Sequence, residues 1–195
     1  MSDLIDKYLP NFQFEEVHAI EIHAPRQKIF SALQHYDAQK DWLIASFIAL
    51  REIPLRLLQA CKLLKDVAPT PFNLDKFTLL ETLEDNQIAF GLVGKFWKAN
   101  YGLEMIADGE AFCAFDKPNN AKLAMQFKID AIDGDKKPSC QNRFTLQTKT
   151  RVFCLDGESK RRFTPYWYLI RPVSGLIRKR MLKAIKQQSE TTTLP

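Results

Sequence analysis

Lys122-Leu-Ala-Met-Gln-Phe-Lys-Ile-Asp130 alternates without interruption. Leu123, Met125, Phe127 and Ile129 fall on one face of an extended segment, and Lys122, Gln126, Lys128 and Asp130 fall on the other. After the turn residues Asp133-Gly-Asp135, a second long strand is predicted over about Ser139 to Leu155. There Phe144, Leu146, Thr148, Thr150 and Val152 are in phase on one side, with Gln141, Arg143, Gln147, Lys149 and Arg151 on the other. A long helix follows, from about Ser159 to Gln188, with Asp156 or Ser159 as its cap. Phe163, Trp167, Ile170, Ser174, Ile177, Met181 and Ile185 recur at steps of three and four and form its apolar stripe. Pro172 removes a backbone donor inside this helix, so a kink or break is predicted near Arg171.

Toward the N-terminus the pattern stays mostly extended. Short strands are predicted over Glu110–Phe115 and Lys98–Ile106. A hairpin is predicted over Phe77–Glu84 and Gln87–Val93, turning at Asp85-Asn86. A helical stretch spans about Trp42 to Leu64, broken near Pro54. Before it, Phe14–His23 reads as a strand in which Ile20 and Ile22 alternate with Glu21 and His23. Ala24-Pro25 ends that strand and opens a helix through Ile29, Phe30 and Leu33. The order is strand, helices, about six antiparallel strands, then a long helix. That is an α+β plan in which a curved antiparallel sheet grips the C-terminal helix. The helix stripe matches the sheet's apolar face, and such a crossing can leave a pocket between the two.

The 195 residues suit one domain, 1–195, with its core over about 14–188. A hydrophobic share of 46%, including fourteen Phe, supports a packed interior and excludes a low-complexity chain. Seven Gly exclude glycine-rich arrays. The opening residues lack the basic flank and apolar run of a signal peptide. Leu43–Leu50, the longest apolar stretch, is far short of the roughly 20 residues that span a bilayer. A soluble, cytoplasmic protein is therefore expected. Cys61, Cys113, Cys140 and Cys154 form no Cys-x-x-Cys pair, and His18, His23 and His35 have no zinc-ligand spacing. The cysteines read as small buried residues, and neither a metal nor another cofactor is expected. The net charge is +5, but residues 157–190 carry +7 and the rest of the chain −2.

Four stretches carry a resemblance to a known group. Ile20-Glu-Ile-His-Ala-Pro-Arg-Gln-Lys-Ile-Phe30 resembles the opening of the START-like helix-grip superfamily, within the polyketide cyclase/SRPBCC group. Ile88-Ala-Phe-Gly-Leu-Val-Gly-Lys-Phe-Trp97, Thr148-Lys-Thr-Arg-Val152 and Tyr166-Trp-Tyr-Leu-Ile-Arg-Pro-Val-Ser-Gly-Leu-Ile-Arg178 resemble an uncharacterised bacterial branch of it. The resemblance implies a helix-grip fold with a ligand pocket. It does not choose between transfer, sensing and catalysis, because these folds host all three.

The expected function is binding of a small hydrophobic or amphipathic molecule between sheet and helix, driven by apolar burial at about 25 cal/mol per Å². The candidate lining residues are His18, Ile20, Trp97, Met125, Phe127, Phe144, Leu146, Thr148, Thr150, Phe163, Trp167 and Ile170. His18, in phase with Ile20, could orient a polar group. With no carboxylate partner evident, a partly solvated histidine at the strand's start is the plainer reading. Thr148 and Thr150 are either the placed polar groups of a greasy pocket or strand-forming residues bonded locally. Trp97 either guards the mouth or packs beneath a loop. No catalytic motif is present, though a cyclase- or aromatase-like enzyme using the same pocket is an alternative. A further alternative is contact with an anionic membrane surface through Arg178, Lys179, Arg180, Lys183 and Lys186 on the helix's outer face. Nucleic acid is not expected, since this basic run lacks interleaved aromatics.

Overall fold

The Lys122–Asp130 alternation becomes the middle of a five-stranded antiparallel sheet in the computed structural model, which describes residues 3–36, 76–84, 86–98, 100–132 and 143–191. The elements are α1 (Leu4–Tyr8), β1 (Phe14–His23), α2 (Arg26–Gln34), β2 (Thr78–Leu83), β3 (Gln87–Gly94), α3 (Gly109–Ala114), β4 (Ala121–Ala131), β5 (Arg143–Cys154) and α4 (Gly157–Glu190). The strand order is β1-β5-β4-β3-β2. The sheet is curved, α4 lies across it, and the arrangement is an α+β helix grip. The Trp42–Leu64 helical stretch, the Asp133-Gly-Asp135 turn, Ser139 to Asn142, Asp85, Cys61 and Cys140 lie outside the described residues.

Register explains what shares a row. Met125 of β4, Thr150 of β5 and Glu16 of β1 are paired neighbours, and so are Phe127, Thr148 and His18 one step further along. All six stand on the concave face, beneath α4. Helix α4 packs mainly on β1 and β5 and against α2, toward one edge of the sheet. Asp156 starts it, its side chain accepting hydrogen bonds from the Ser159 backbone N–H at 2.7 Å and the Ser159 hydroxyl at 2.9 Å. The expected break near Arg171 is absent: α4 runs as one element through Pro165 and Pro172. Both prolines lie on the exposed outer face, where water can satisfy the carbonyls they leave without a donor.

The sheet has fewer strands than the sequence suggests. Over 98–106 the described residues form turns with a single bridge, Val93 to Glu104. Glu110–Phe115, expected as a strand, is mostly helix α3. Asp108 caps it by accepting from the Ala111 N–H at 2.8 Å, and Phe112 is carried inward. Cys113, expected buried, lies on the exposed side of that helix.

Helices α1 and α3 cover the convex face, which is therefore buried too. Gln87 and Gln126 sit fully enclosed there and do the capping that Asp3 does not. Their Oε1 atoms accept from the Leu4 and Ile5 N–H groups at 2.9 and 2.7 Å, and Gln126 Nε2 donates to Gln87 at 2.9 Å. Around this centre Asp3 meets Lys149 (2.8 Å) and Lys128 (3.1 Å), while Arg151 meets Asp6 (2.5 Å) and Glu15 (2.8 Å). Gly91 and Gly109 let the layers close. A Cβ on Gly91 would stand 2.8 Å from both Leu80 and Phe112, and one on Gly109 would stand 2.6 Å from the Tyr8 ring.

Candidate functional site

Among the described residues, the concave face is closed by α4 on its β1–β5 side. Over β2, β3 and β4 the apolar side chains Leu79, Ile88, Phe90, Leu92, Leu123, Met125 and Phe127 face open space. Phe163, Trp167, Ile170, Val173, Ile177 and Met181 of α4 form the opposite wall, with Leu33 and Tyr36 at one end and Phe96 at the other. The result is a cavity of about 550 Å³, within the range that holds small organic molecules. Its lining is overwhelmingly hydrocarbon and aromatic.

Six of the residues singled out from sequence line this space: Met125, Phe127, Thr150, Phe163, Trp167 and Ile170. The others do not. Phe144 and Leu146 are packed in the main core with Ile20 against them, because α2 and the C-terminal half of α4 fill that end of the sheet. Trp97 packs against Phe163's cluster rather than guarding the mouth. Thr148 is fully buried, its hydroxyl accepting a hydrogen bond.

His18 has the carboxylate partner that the sequence reading overlooked. Its Nε2 lies 2.8 Å from Glu16 Oε1, two residues earlier on the same strand face, and Glu16 is buried. The pair sits directly beneath Gly175 of α4. A Cβ there would stand 3.0 Å from the Glu16 oxygen and 3.5 Å from the imidazole. Glycine at this turn lets the helix settle onto the pair, which is not part of the cavity lining. The signal was present in sequence as the spacing of Glu16, His18 and Ile20, alternate positions of one strand.

Arg178 departs most from expectation. The basic run was expected on the outer face of α4, yet Arg178 turns inward, is buried, and lines the cavity. Its Nη1 donates to Thr148 Oγ1 at 3.1 Å and approaches Met125 Sδ at 3.1 Å, while its Nε has no hydrogen-bond partner among the described residues. Burial pushes its pKa down to about 10, against the opposing pull of the Glu16 charge, so the guanidinium stays protonated at neutral pH. Thr150, also buried and lining the cavity, has a hydroxyl with no partner among the described residues. Helical spacing from Ser174 (four residues) and to Met181 (three) was the available sign that Arg178 belongs to the inner stripe. Lys179 and Lys183 remain on the outer face, where Tyr168, Leu169 and Leu176 are also exposed.

No group of His, Cys, Asp or Glu among the described residues is arranged to hold a metal ion. Burial raises the Cys154 thiol to about 12, so it is a protonated core residue and not a nucleophile. Among the described residues no helix is long and apolar enough to cross a membrane.

No protein-family model matches the chain, and no curated protein matches it. Among solved structures it is similar to the crystal structure of the di-domain ARO/CYC BexL from the BE-7585A biosynthetic pathway. The TM-score is 0.38 and the identity 8%, over 95% of this chain and 53% of that one. The chain thus spans about half the length of the structure it matches. A likeness this distant assigns neither family nor chemistry.

Proposed function

We propose that the protein binds a small hydrophobic or amphipathic molecule in the cavity between the sheet and α4. The observation that supports this reading is the apolar surface of β2, β3 and β4, left uncovered by the other described residues and facing the aromatic stripe of α4 across about 550 Å³. An ordinary core would close such a gap, because each unfilled volume forfeits dispersion contacts. Binding is favoured over reaction. Of the carboxylate–histidine pairs among the described residues, Glu16 and His18 lie beneath Gly175 and outside the cavity lining, and Glu21 and His23 are exposed, so neither is placed to move a proton on a cavity-bound molecule.

The test is a titration with N-phenyl-1-naphthylamine, an uncharged dye that brightens in apolar surroundings. One saturable site per chain is expected. Ile170→Trp places a larger side chain in the space and should weaken dye binding at least tenfold while the protein stays folded. Absence of saturable binding, or binding that Ile170→Trp leaves untouched, would overturn the proposal.

A further inference from the structure

An apolar cavity has no use for a buried charge unless something answers it. Arg178 is the single charged residue in the lining among the described residues. It is more than nine-tenths buried, and no carboxylate lies within ion-pairing distance among the described residues. One guanidinium nitrogen is anchored by Thr148, which fixes the plane of the group. Among the described residues Nε is left without an acceptor, and the Thr150 hydroxyl, also in the lining, is left without a partner. Donors held this way, in surroundings from which water is largely excluded, are strongest toward a negatively charged acceptor.

From this we infer that the molecule bound in the cavity carries one anionic head, a carboxylate, sulfonate or enolate, that pairs with Arg178 and Thr150 while its apolar body lies against Phe90, Met125 and Trp167. The inference rests on the binding reading above and names the ligand class for that site. The guanidinium sits on the sheet side of the cavity, so the head points inward and the apolar body fills the remaining space. The Glu16 charge acts on Arg178 from beyond ion-pair distance, and its buried Oε2 has no hydrogen-bond partner among the described residues. Its Oε1 is held by His18, and no oxygen of it reaches Arg178 at ion-pair distance. Lysine at 178 would deliver the charge but not the fixed planar fork.

Two dyes sharing one anilinonaphthalene body separate the claims: uncharged N-phenyl-1-naphthylamine and 8-anilinonaphthalene-1-sulfonate, which adds only the anionic group. The parent protein should bind the sulfonate more tightly by about tenfold to a hundredfold, the scale of one charge-assisted hydrogen-bonded pair. Arg178→Met should erase that difference, and Arg178→Lys should retain part of it. Equal affinity of the parent for both dyes would overturn the anionic assignment while leaving the cavity intact, and this comparison needs no variant to fold. So would an Arg178→Met protein that keeps the preference. Failure of both dyes to bind would instead remove the cavity reading itself.

Discussion

The two faces of one sheet are finished to different standards. On the convex side of β3 and β4, Gln87 and Gln126 cap α1, the surrounding charges are paired, and Phe112 packs so closely on Gly91 that no methyl group would fit between them. On the concave side, one residue away along each strand, the same backbone carries Ile88, Phe90, Leu123 and Met125 facing a cavity that holds a guanidinium whose Nε has no partner among the described residues. A marginally stable domain rarely leaves both space and charge unsatisfied at its centre without a use for them. The convex face supplies the stability that lets the concave face stay open.

Phe112 and Phe90 make the comparison measurable. Phe112 is completely enclosed, and Phe112→Ala should cost about 3–5 kcal/mol of stability. Phe90, on the facing side of β3, already borders empty space and is only partly buried, so Phe90→Ala should cost roughly half as much. Urea unfolding of both variants checks this. Equal losses would mean that the cavity is packed shut in solution.

Two arginines separate the faces by a smaller margin. Arg151→Met leaves Asp6 and Glu15 unpaired on the convex side, and because those partners are half-exposed the loss should be about 1–2 kcal/mol. Arg178→Met removes a buried charge that has no ion-pair partner among the described residues, at the expense of one hydrogen bond to Thr148. The two effects oppose each other, and the unliganded variant should stay within about 1 kcal/mol of the parent. A large loss at position 178 would make Arg178 a structural residue and remove its reason for meeting a ligand.

The strands and α4 were legible in the sequence because each is long enough for its period to repeat. β1 was read to its ends, and β4 and β5 were placed in the right phase. α1 and α3, five and six residues long, are too short for a helical period to emerge. Glu110 to Phe115 therefore reads equally well as an alternating strand. Missing these two helices hid the fact that the Gln126 face of β4 is buried as deeply as the Met125 face. The cavity walls from β4 and α4 were visible, whereas β2 and β3 were not assigned to the site. The inward residues of β3 belong to a continuous apolar run that alternation cannot resolve. Arg178 was misplaced because a basic triplet suggests a solvated face. One member of such a triplet must still point inward when the helix stripe passes through it.

The smallest expected effect tests whether the convex charges hold α1 in place or merely decorate it. Burial raises the Asp3 carboxyl, but the hydrogen bonds from Lys149 and Lys128 outweigh this and hold it below its ordinary value of 3.8. A carboxyl whose folded-state pKa is depressed contributes stability that is fully present above its unfolded value and lost as pH falls through the folded one. Asp3 and both lysines are mostly but not wholly buried, so the contribution should be about 1 kcal/mol. Asp3→Asn should therefore unfold at lower urea than the parent at pH 6, and the gap should close as pH falls below 3.8. Other carboxyls held low, Glu81 among them, titrate in both proteins and cancel in the difference. A gap that persists in acid would assign the loss to the Asp3 hydrogen-bond geometry and not to its charge. No gap at any pH would leave Gln87 and Gln126 as the groups that keep α1 on the sheet.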